Sequence, residues 1–293
     1  MKVCIITLGC KVNQYESNQM VTKYVAQGFK VVQKFEPDAD EYIVNACAVT
    51  ANAEKKTRNI VARCKRALET QGKDPTKITI CGCGIDRTLN DSLTGWAVQP
   101  RKRAFIKVQD GCNNFCSYCV IPYLRGRSRS RQIPDIIAEI QSHGKPVVLT
   151  GIDLSSFGLD NGQNLKTLCI EVDKCGVPFE LSSIEVGVLT EGFLSALKNC
   201  ENFVAKFHVP LQSGSDKVLL DMNRKYTRLE FIDAIKRVRK FFPAACISTD
   251  VITGYPTETP YDLDQTHEVV KICDFAKVHW FPFSDRNLER FRK

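Results

Sequence analysis

Cys112, Cys116 and Cys119 are spaced C-x3-C-x2-C within the stretch Gly111-Cys112-Asn113-Asn114-Phe115-Cys116-Ser117-Tyr118-Cys119. This stretch is rich in Gly, Asn and Ser and follows an apolar run ending Phe105-Ile106-Lys107-Val108-Gln109. A loop of that kind folds its thiolates back toward one centre. Thiolates hold iron–sulfur clusters, and three of them leave one iron of a four-iron cluster without a protein ligand, open to a substrate. Zinc is the competing chemistry, but zinc sites favour paired C-x2-C units with a fourth ligand close by. Neither a second pair nor a nearby His follows Cys119. The trio therefore reads as a [4Fe-4S] site with one open iron.

Three more cysteines follow apolar runs, at Gly9-Cys10, Ala46-Cys47 and Gly82-Cys83. The elements that would position them alternate. Val3 to Leu8 is an apolar strand, and Gln14 to Ala26 carries a helical pattern. Glu41 to Asn45 is a second strand, a basic helix runs from Asn52 to Leu68, and Lys77 to Ile80 is a third strand. Residues 1–84 thus predict a small open parallel α/β sheet. Ligands of such sheets bind at the carboxyl ends of the strands, so three thiolates arriving there describe a second cluster site. Buried strand cysteines that merely pack as small hydrophobes are the alternative. Cys81, within its strand, and Cys64, on a helix, compete for the third place and rank lower.

Residues 85–102 are polar, contain Gly and Asp, and read as a linker. From 103 to 293 a longer βα series is expected, with strands near 104–109, 146–150, 179–184, 203–208, 246–252 and 275–281. Six such crossovers make a partial (β/α)6 barrel with its site at the strand carboxyl ends. Polar residues collect there: Thr150-Gly151-Ile152-Asp153, Ser182-Ser183-Ile184-Glu185, the run from His208 through Gln212 to Asp216, and Asp250. Together they outline a pocket for a polar cofactor. Taken singly, Ser215-Asp216 is a helix start and His208 a structural hydrogen-bonding residue.

The 293 residues, 43% of them apolar, can bury a sizeable core, and no run approaches the roughly 18 apolar residues of a membrane span. With no export signal visible, a cytoplasmic protein is expected, and its 14 cysteines point to metal binding rather than disulfides, with Cys4, Cys169, Cys200, Cys246 and Cys273 read as small hydrophobes in or beside apolar runs. The net charge of +8 is clustered at Lys55 to Arg66, at Arg101-Lys102-Arg103, and at Arg125, Arg127, Arg129 and Arg131. The last run directly follows the cysteine loop and points to a phosphate-bearing substrate.

These segments together resemble the methylthiotransferase branch of the radical S-adenosylmethionine (SAM) superfamily. The resemblance rests on Thr7 to Ser17, Asn45 to Thr50, Gly82-Cys83, Gln109 to Arg131, His208 to Asp216, Met222 to Thr227 and Phe281 to Ser284, in family order. It implies a radical SAM partial barrel and two [4Fe-4S] clusters, held by Cys112, Cys116 and Cys119 and by Cys10, Cys47 and Cys83. The first cluster would chelate SAM, with Tyr118 near its adenine, and yield a 5′-deoxyadenosyl radical. Sulfur and a methyl group from a second SAM would be delivered at the second. Thr150, Gly151, Ser183, Glu185 and Gln212 would hold SAM, with Asp250 and Glu258 as weaker candidates.

The Lys-Val-Asn-Gln-Tyr-Glu-Ser form of the first motif is similar to bacterial enzymes that modify C2 of N6-threonylcarbamoyladenosine 37 in tRNA. Arg125, Arg127, Arg129 and Arg131 would then meet phosphates of the tRNA anticodon loop, with aromatics free to stack on a splayed base. An electron donor such as flavodoxin or ferredoxin is implied. The alternatives are an enzyme acting on isopentenyladenosine in tRNA or on a ribosomal-protein aspartate, or an inactive RNA-binding relative. Three departures from the family stand out. The stretch from Cys83 to Arg103 is short, Thr257 stands where Gly is usual, and no small C-terminal RNA-gripping barrel follows Ser284.

Overall fold

The structure, a computed structural model, describes residues 1–288. The chain forms two compact units. The first comprises Met1–Arg101, Tyr123–Arg125 and the described residues from Asp285 onward; the second comprises Lys102–Pro122 and Gly126–Ser284.

The first unit is built on β1 (Lys2–Thr7), β2 (Lys30–Val32), β3 (Glu41–Cys47) and β4 (Ile78–Cys83). They form one parallel sheet in the order β2-β1-β3-β4. Alternation along β1 feeds two cores, because successive side chains point to opposite faces. Val3 and Ile5 pack with Met20, on the helix Lys11–Ala26. Cys4 and Ile6 pack with Cys64 and Leu68, on the helix Ala51–Thr70, whose first turn is capped by the Thr50 hydroxyl accepting from the Ala53 N–H.

Residues 85–102, expected to be a linker, belong largely to this unit. Ile85 packs against one core, while Leu89 and Leu93, four residues apart around the short helix Thr88–Asp91, pack against the other. Enough apolar side chains sit among the polar ones to seat the segment, and the unit continues to Arg101.

The second unit holds two three-stranded parallel sheets. One is β5 (Ala104–Lys107), β8 (Val147–Thr150) and β9 (Phe179–Leu181); the other is β10 (Lys206–His208), β11 (Cys246–Thr253) and β12 (Lys277–Pro282). Parallel bridges Phe179↔Phe203 and Ser183↔His208 join them, giving six strands in series. Helices Ile133–His143, Leu165–Asp173, Glu191–Lys198, Arg228–Phe241 and Pro260–Cys273 lie between them in sequence. On β11, Ile247, Thr249 and Val251 are buried, while Ser248, Asp250 and Ile252 face the half-open side. A short antiparallel ribbon, β6 (Gln109–Asp110) with β7 (Arg129–Ser130), closes the base of the cysteine loop.

Candidate iron–sulfur sites

In the second unit, residues 111–122 and 126–128 fold back on one another. The Cys112 N–H donates to Gly126 O at 3.1 Å. Gly111 has φ +76°, and a Cβ there would lie 2.0 Å from Arg127 O, so no other residue fits. The Gln109 side chain staples the loop from below, donating to Gly111 O at 2.7 Å and to Ser128 Oγ at 2.9 Å while its own oxygen accepts from the Asp153 N–H at 2.9 Å. From the other side, Asn223 Nδ2 donates to Phe115 O at 2.9 Å and Ser117 Oγ to Asp221 O at 2.6 Å.

The sulfurs of this loop meet a mixed electrostatic field. Arg224 Nη1 donates to Cys116 Sγ at 3.3 Å while its guanidinium pairs with Glu185. The Asn114 N–H donates to Cys112 Sγ at 3.4 Å, and that sulfur faces Asp153 Oδ2 at 3.9 Å. Burial pushes the Cys112 thiol up to about 12 and the Cys119 thiol up to about 11, and it also raises the Tyr118 phenol. A bound cation reverses that penalty, because a coordinating thiol is deprotonated outright.

In the first unit, three strand ends deliver Cys10, Cys47 and Cys83. Cys47 lies directly across from Cys83 in the β3–β4 register, and Cys10 is the N-cap of the helix that follows β1. Gly9, at φ +100°, brings the backbone to Cys47: a Cβ on it would lie 3.3 Å from Cys47 Sγ. Asn13 is the centre of the group. Its Oδ1 accepts from both Cys10 Sγ and Cys83 Sγ at 3.6 Å, while its Nδ2 donates to Leu8 O and Ala46 O, each at 2.9 Å. Burial pushes the Cys83 thiol up to about 12, opposed by Arg125. Cys81 and Cys64 stand apart from this group. Cys81 faces Val44 O from within one core and Cys64 is enclosed in the other.

Among the described residues, neither trio is drawn together as a single-ion site. A single zinc ion, at about 2.3 Å per sulfur, would need its cysteines within about 4.6 Å of one another. Among the described residues, no three cysteine sulfurs all lie within 4.8 Å. The one group that does meet this spacing is His208, Asp250 and His279.

The residues expected to hold SAM are differently engaged. Thr150 is buried at the end of β8, its carbonyl accepting from the Val108 N–H at 2.9 Å. A Cβ on Gly151 would lie 2.8 Å from Gln109 Oε1, so this glycine admits the loop staple. Ser183 is exposed, and Glu185 is paired with Arg224. Gln212 holds a left-handed φ of +64° and bridges to Val251. Asp250 is committed to two imidazoles, His208 Nε2 at 3.1 Å and His279 Nδ1 at 3.0 Å. Glu258 caps its own turn, accepting from the Gly254 N–H at 2.6 Å, and Thr257 is not among the residues with positive φ, so the loss of Gly there costs no strain.

Two of the four arginines expected at phosphates are paired with buried carboxylates. Arg125 is fully buried against Glu16, and Arg131 donates to Lys107 O at 2.9 Å and pairs with the fully buried Glu139 at 2.7 Å. A buried carboxylate left alone is costly, and each arginine supplies its counter-charge. Arg127 and Arg129 are exposed, Arg127 with its guanidinium 4.6 Å from the centre of the Phe115 ring. Lys55, Lys56, Arg58, Arg63, Lys65 and Arg66 are also exposed, along the helix Ala51–Thr70. Sequence patterning assigns no role to Asn13, Glu16, Gln109, Asn223 or Arg224. The available signal was a polar residue at helical spacing behind a cysteine, as in Cys10-x2-Asn13-x2-Glu16.

Residues 106–270 match the radical SAM superfamily, and residues 2–95 match the uncharacterized protein family UPF0004. The chain is 32% identical to threonylcarbamoyladenosine tRNA methylthiotransferase MtaB of Aquifex aeolicus, over 100% of this chain and 83% of that protein. It is 36% identical to the Chlamydia pneumoniae protein of the same name, over 96% and 74%. It is 30% identical to tRNA-2-methylthio-N(6)-dimethylallyladenosine synthase of Petrotoga mobilis, over 98% and 76%. Its fold is similar to that of the radical S-adenosylmethionine methyltransferase TsrM from Kitasatospora setae, with a TM-score of 0.63 at 15% identity, covering 96% of this chain and 74% of that one. With the loop trio on a partial barrel and near-full-length likeness to these transferases, the chain belongs to the methylthiotransferase family of the radical SAM superfamily.

Proposed function

We propose that this chain adds a methylthio group to C2 of N6-threonylcarbamoyladenosine 37 in tRNA. The observation that carries this reading is the presence of two separate cysteine trios, one in a barrel loop and one at the strand ends of the first unit, in a chain 32–36% identical to relatives named for that reaction. Cys112, Cys116 and Cys119 would hold a [4Fe-4S] cluster, and Cys10, Cys47 and Cys83 a second. When bound, the first cluster supplies the electron that cleaves SAM and so opens radical chemistry. That electron comes from an external donor of the flavodoxin or ferredoxin class.

The chain's own residues orient and shield. Gln109, Asn223 and Ser117 fix the loop from two sides, so the three sulfurs are presented without reorganisation. Arg224 donates to Cys116 Sγ and pairs with Glu185, which the family resemblance makes a SAM contact. Ser183, exposed beside Glu185, and Gln212 line the same series of strand ends. Arg127 and Arg129 present exposed guanidiniums to anticodon-loop phosphates, and the ring of Phe115 under Arg127 stiffens that contact.

The test is mass spectrometry of tRNA nucleosides from a strain lacking its own enzyme and expressing this chain. Methylthiolated threonylcarbamoyladenosine is expected. A methylthio group on isopentenyladenosine, or on a protein aspartate, would move the chain to a sister activity. Absence of SAM cleavage by the reconstituted protein would leave only an RNA-binding relative.

A further inference from the structure

Arg125 lies in the basic run after the cysteine loop, yet its guanidinium is enclosed in the first unit. All three nitrogens are placed: Nε donates to Cys83 Sγ at 2.9 Å, Nη2 to Asn13 Oδ1 at 2.7 Å and Nη1 to Glu16 Oε1 at 3.0 Å. Arg125 and Glu16 side chains are both 0% exposed. Glu16 also accepts from Asn90 Nδ2 at 3.0 Å and from Arg87 Nη2 at 3.4 Å, so one carboxylate faces two guanidiniums. Arg87 shares its charge with Asp91 at 3.0 Å. The inner face of the Arg125 fork therefore satisfies Glu16, while its outer edge delivers a permanent positive charge to a cysteine sulfur.

The other trio carries the same device, with Arg224 paired to Glu185 and donating to Cys116 Sγ. The last residue of the short helix Ile121–Arg125 and a residue just past the helix Asp216–Asp221 thus bring a charged donor to one sulfur of each set. Hydrogen bonds to sulfur and net local charge are what set cluster potentials.

We propose that Arg125 is a positioning and charge-compensating residue of the Cys10/Cys47/Cys83 site, holding Cys83 through Nε and favouring the more reduced state of the cluster bound there. This rests on the reading that the trio holds a cluster. Removing the guanidinium withdraws one positive charge and one hydrogen bond from the sulfur, so the midpoint potential must fall.

The experiment uses the whole 293-residue chain carrying Cys112→Ala, Cys116→Ala and Cys119→Ala, so that only the strand-end site can be reconstituted. Iron is counted, and the cluster is titrated anaerobically by electron paramagnetic resonance. About four irons per chain are expected. Arg125→Gln is made together with Glu16→Gln, which avoids stranding a buried carboxylate, and is compared with Glu16→Gln alone. The double variant should show a lower midpoint potential than the single one. Arg125→Lys in the Glu16→Gln background, which keeps the charge but loses the fork, should fall between the single and the double variant. Uptake of about four irons with the same potential in all variants would overturn the role of Arg125 and leave the second cluster standing. No iron uptake by the Cys112/Cys116/Cys119→Ala protein would overturn both.

Discussion

The two cysteine trios reach comparable ends by opposite means. The loop trio is local: three sulfurs within eight consecutive residues, shaped by Gly111, by the left-handed Phe115 and by a ribbon of two short strands. The strand-end trio is assembled from residues 10, 47 and 83, and what aligns it is sheet register. A one-residue slip of β4 would turn Cys83 to the other face and present a glycine in its place. Register also decides against Cys81. It shares the face of Cys83 but lies two residues back, about 7 Å along the strand and inside the core. A local site depends on turn chemistry, whereas an assembled site depends on the whole sheet being folded first.

Function should divide along the same line. Cys119→Ala should reduce SAM cleavage to background, because on the proposed reading the loop trio holds both electron source and chelator. Cys83→Ala should still form 5′-deoxyadenosine but give no methylthiolated nucleoside. Cys81→Ala should lose neither. If Cys81→Ala abolished methylthiolation while Cys83→Ala did not, the register-based assignment would be wrong by one pleat.

This contrast explains what the sequence could reveal. The loop spacing and the six barrel strands were legible because each is a short-range pattern, and the observed strands lie within a few residues of the expected ones. Edge strand β2 was not, being three half-exposed residues with no apolar run. Nor was the seating of 85–102, where Leu89 and Leu93 are sparse among polar neighbours. The run Arg125-x-Arg127-x-Arg129-x-Arg131 looks uniform in sequence, yet its outer two members are held by buried carboxylates and its inner two are exposed. The outer two are defined by Glu16, 109 residues away in the chain, and by Glu139, eight away at the buried face of a helix. A partner that distant leaves no mark on local charge pattern. The strand-end position of Asp250 was visible in the sequence, whereas its imidazole partners, 42 and 29 residues away, were not.

The arginines give the next two tests. Arg131→Ala should destabilise the second unit by about 3 kcal/mol, the low end for removing one partner of a buried pair, since Arg131 itself is 27% exposed. Thermal melts check this. Arg127→Ala with Arg129→Ala should leave the melt unchanged and weaken tRNA binding roughly tenfold, taking about 0.7 kcal/mol for each exposed ion contact. The dependence of log affinity on log salt should flatten by about 1.4, from roughly 0.7 per phosphate on a single-stranded loop. A double variant that binds tRNA with the parent's salt slope would remove these two residues from the RNA face and shift weight to the basic helix Ala51–Thr70.

The smallest effect concerns pH and separates the carboxylates of the two units. Glu16 is held by guanidiniums, which stay charged at every accessible pH. Asp250 is held by imidazoles, His208 against one oxygen and His279 against the other, and His208 is in turn fixed by Ser248 Oγ at 3.0 Å. Burial pushes the Asp250 carboxyl up, but the hydrogen bonds and charges of His208 and His279 outweigh it and leave the group below its usual range. The unfolded chain therefore takes up this proton at higher pH than the folded one. The contribution of Asp250 to stability is complete above the unfolded value of about 3.9 and disappears as pH falls through the lower folded value. Asp250→Asn should accordingly cost about 1 kcal/mol at pH 5 to 6, the size of one net hydrogen bond. The gap between variant and parent should close on acidification toward pH 3, as followed by melts of the metal-free protein. A gap that widened on acidification would mean that Asp250 is protonated in the fold, and that His208 and His279 are held by something other than its charge.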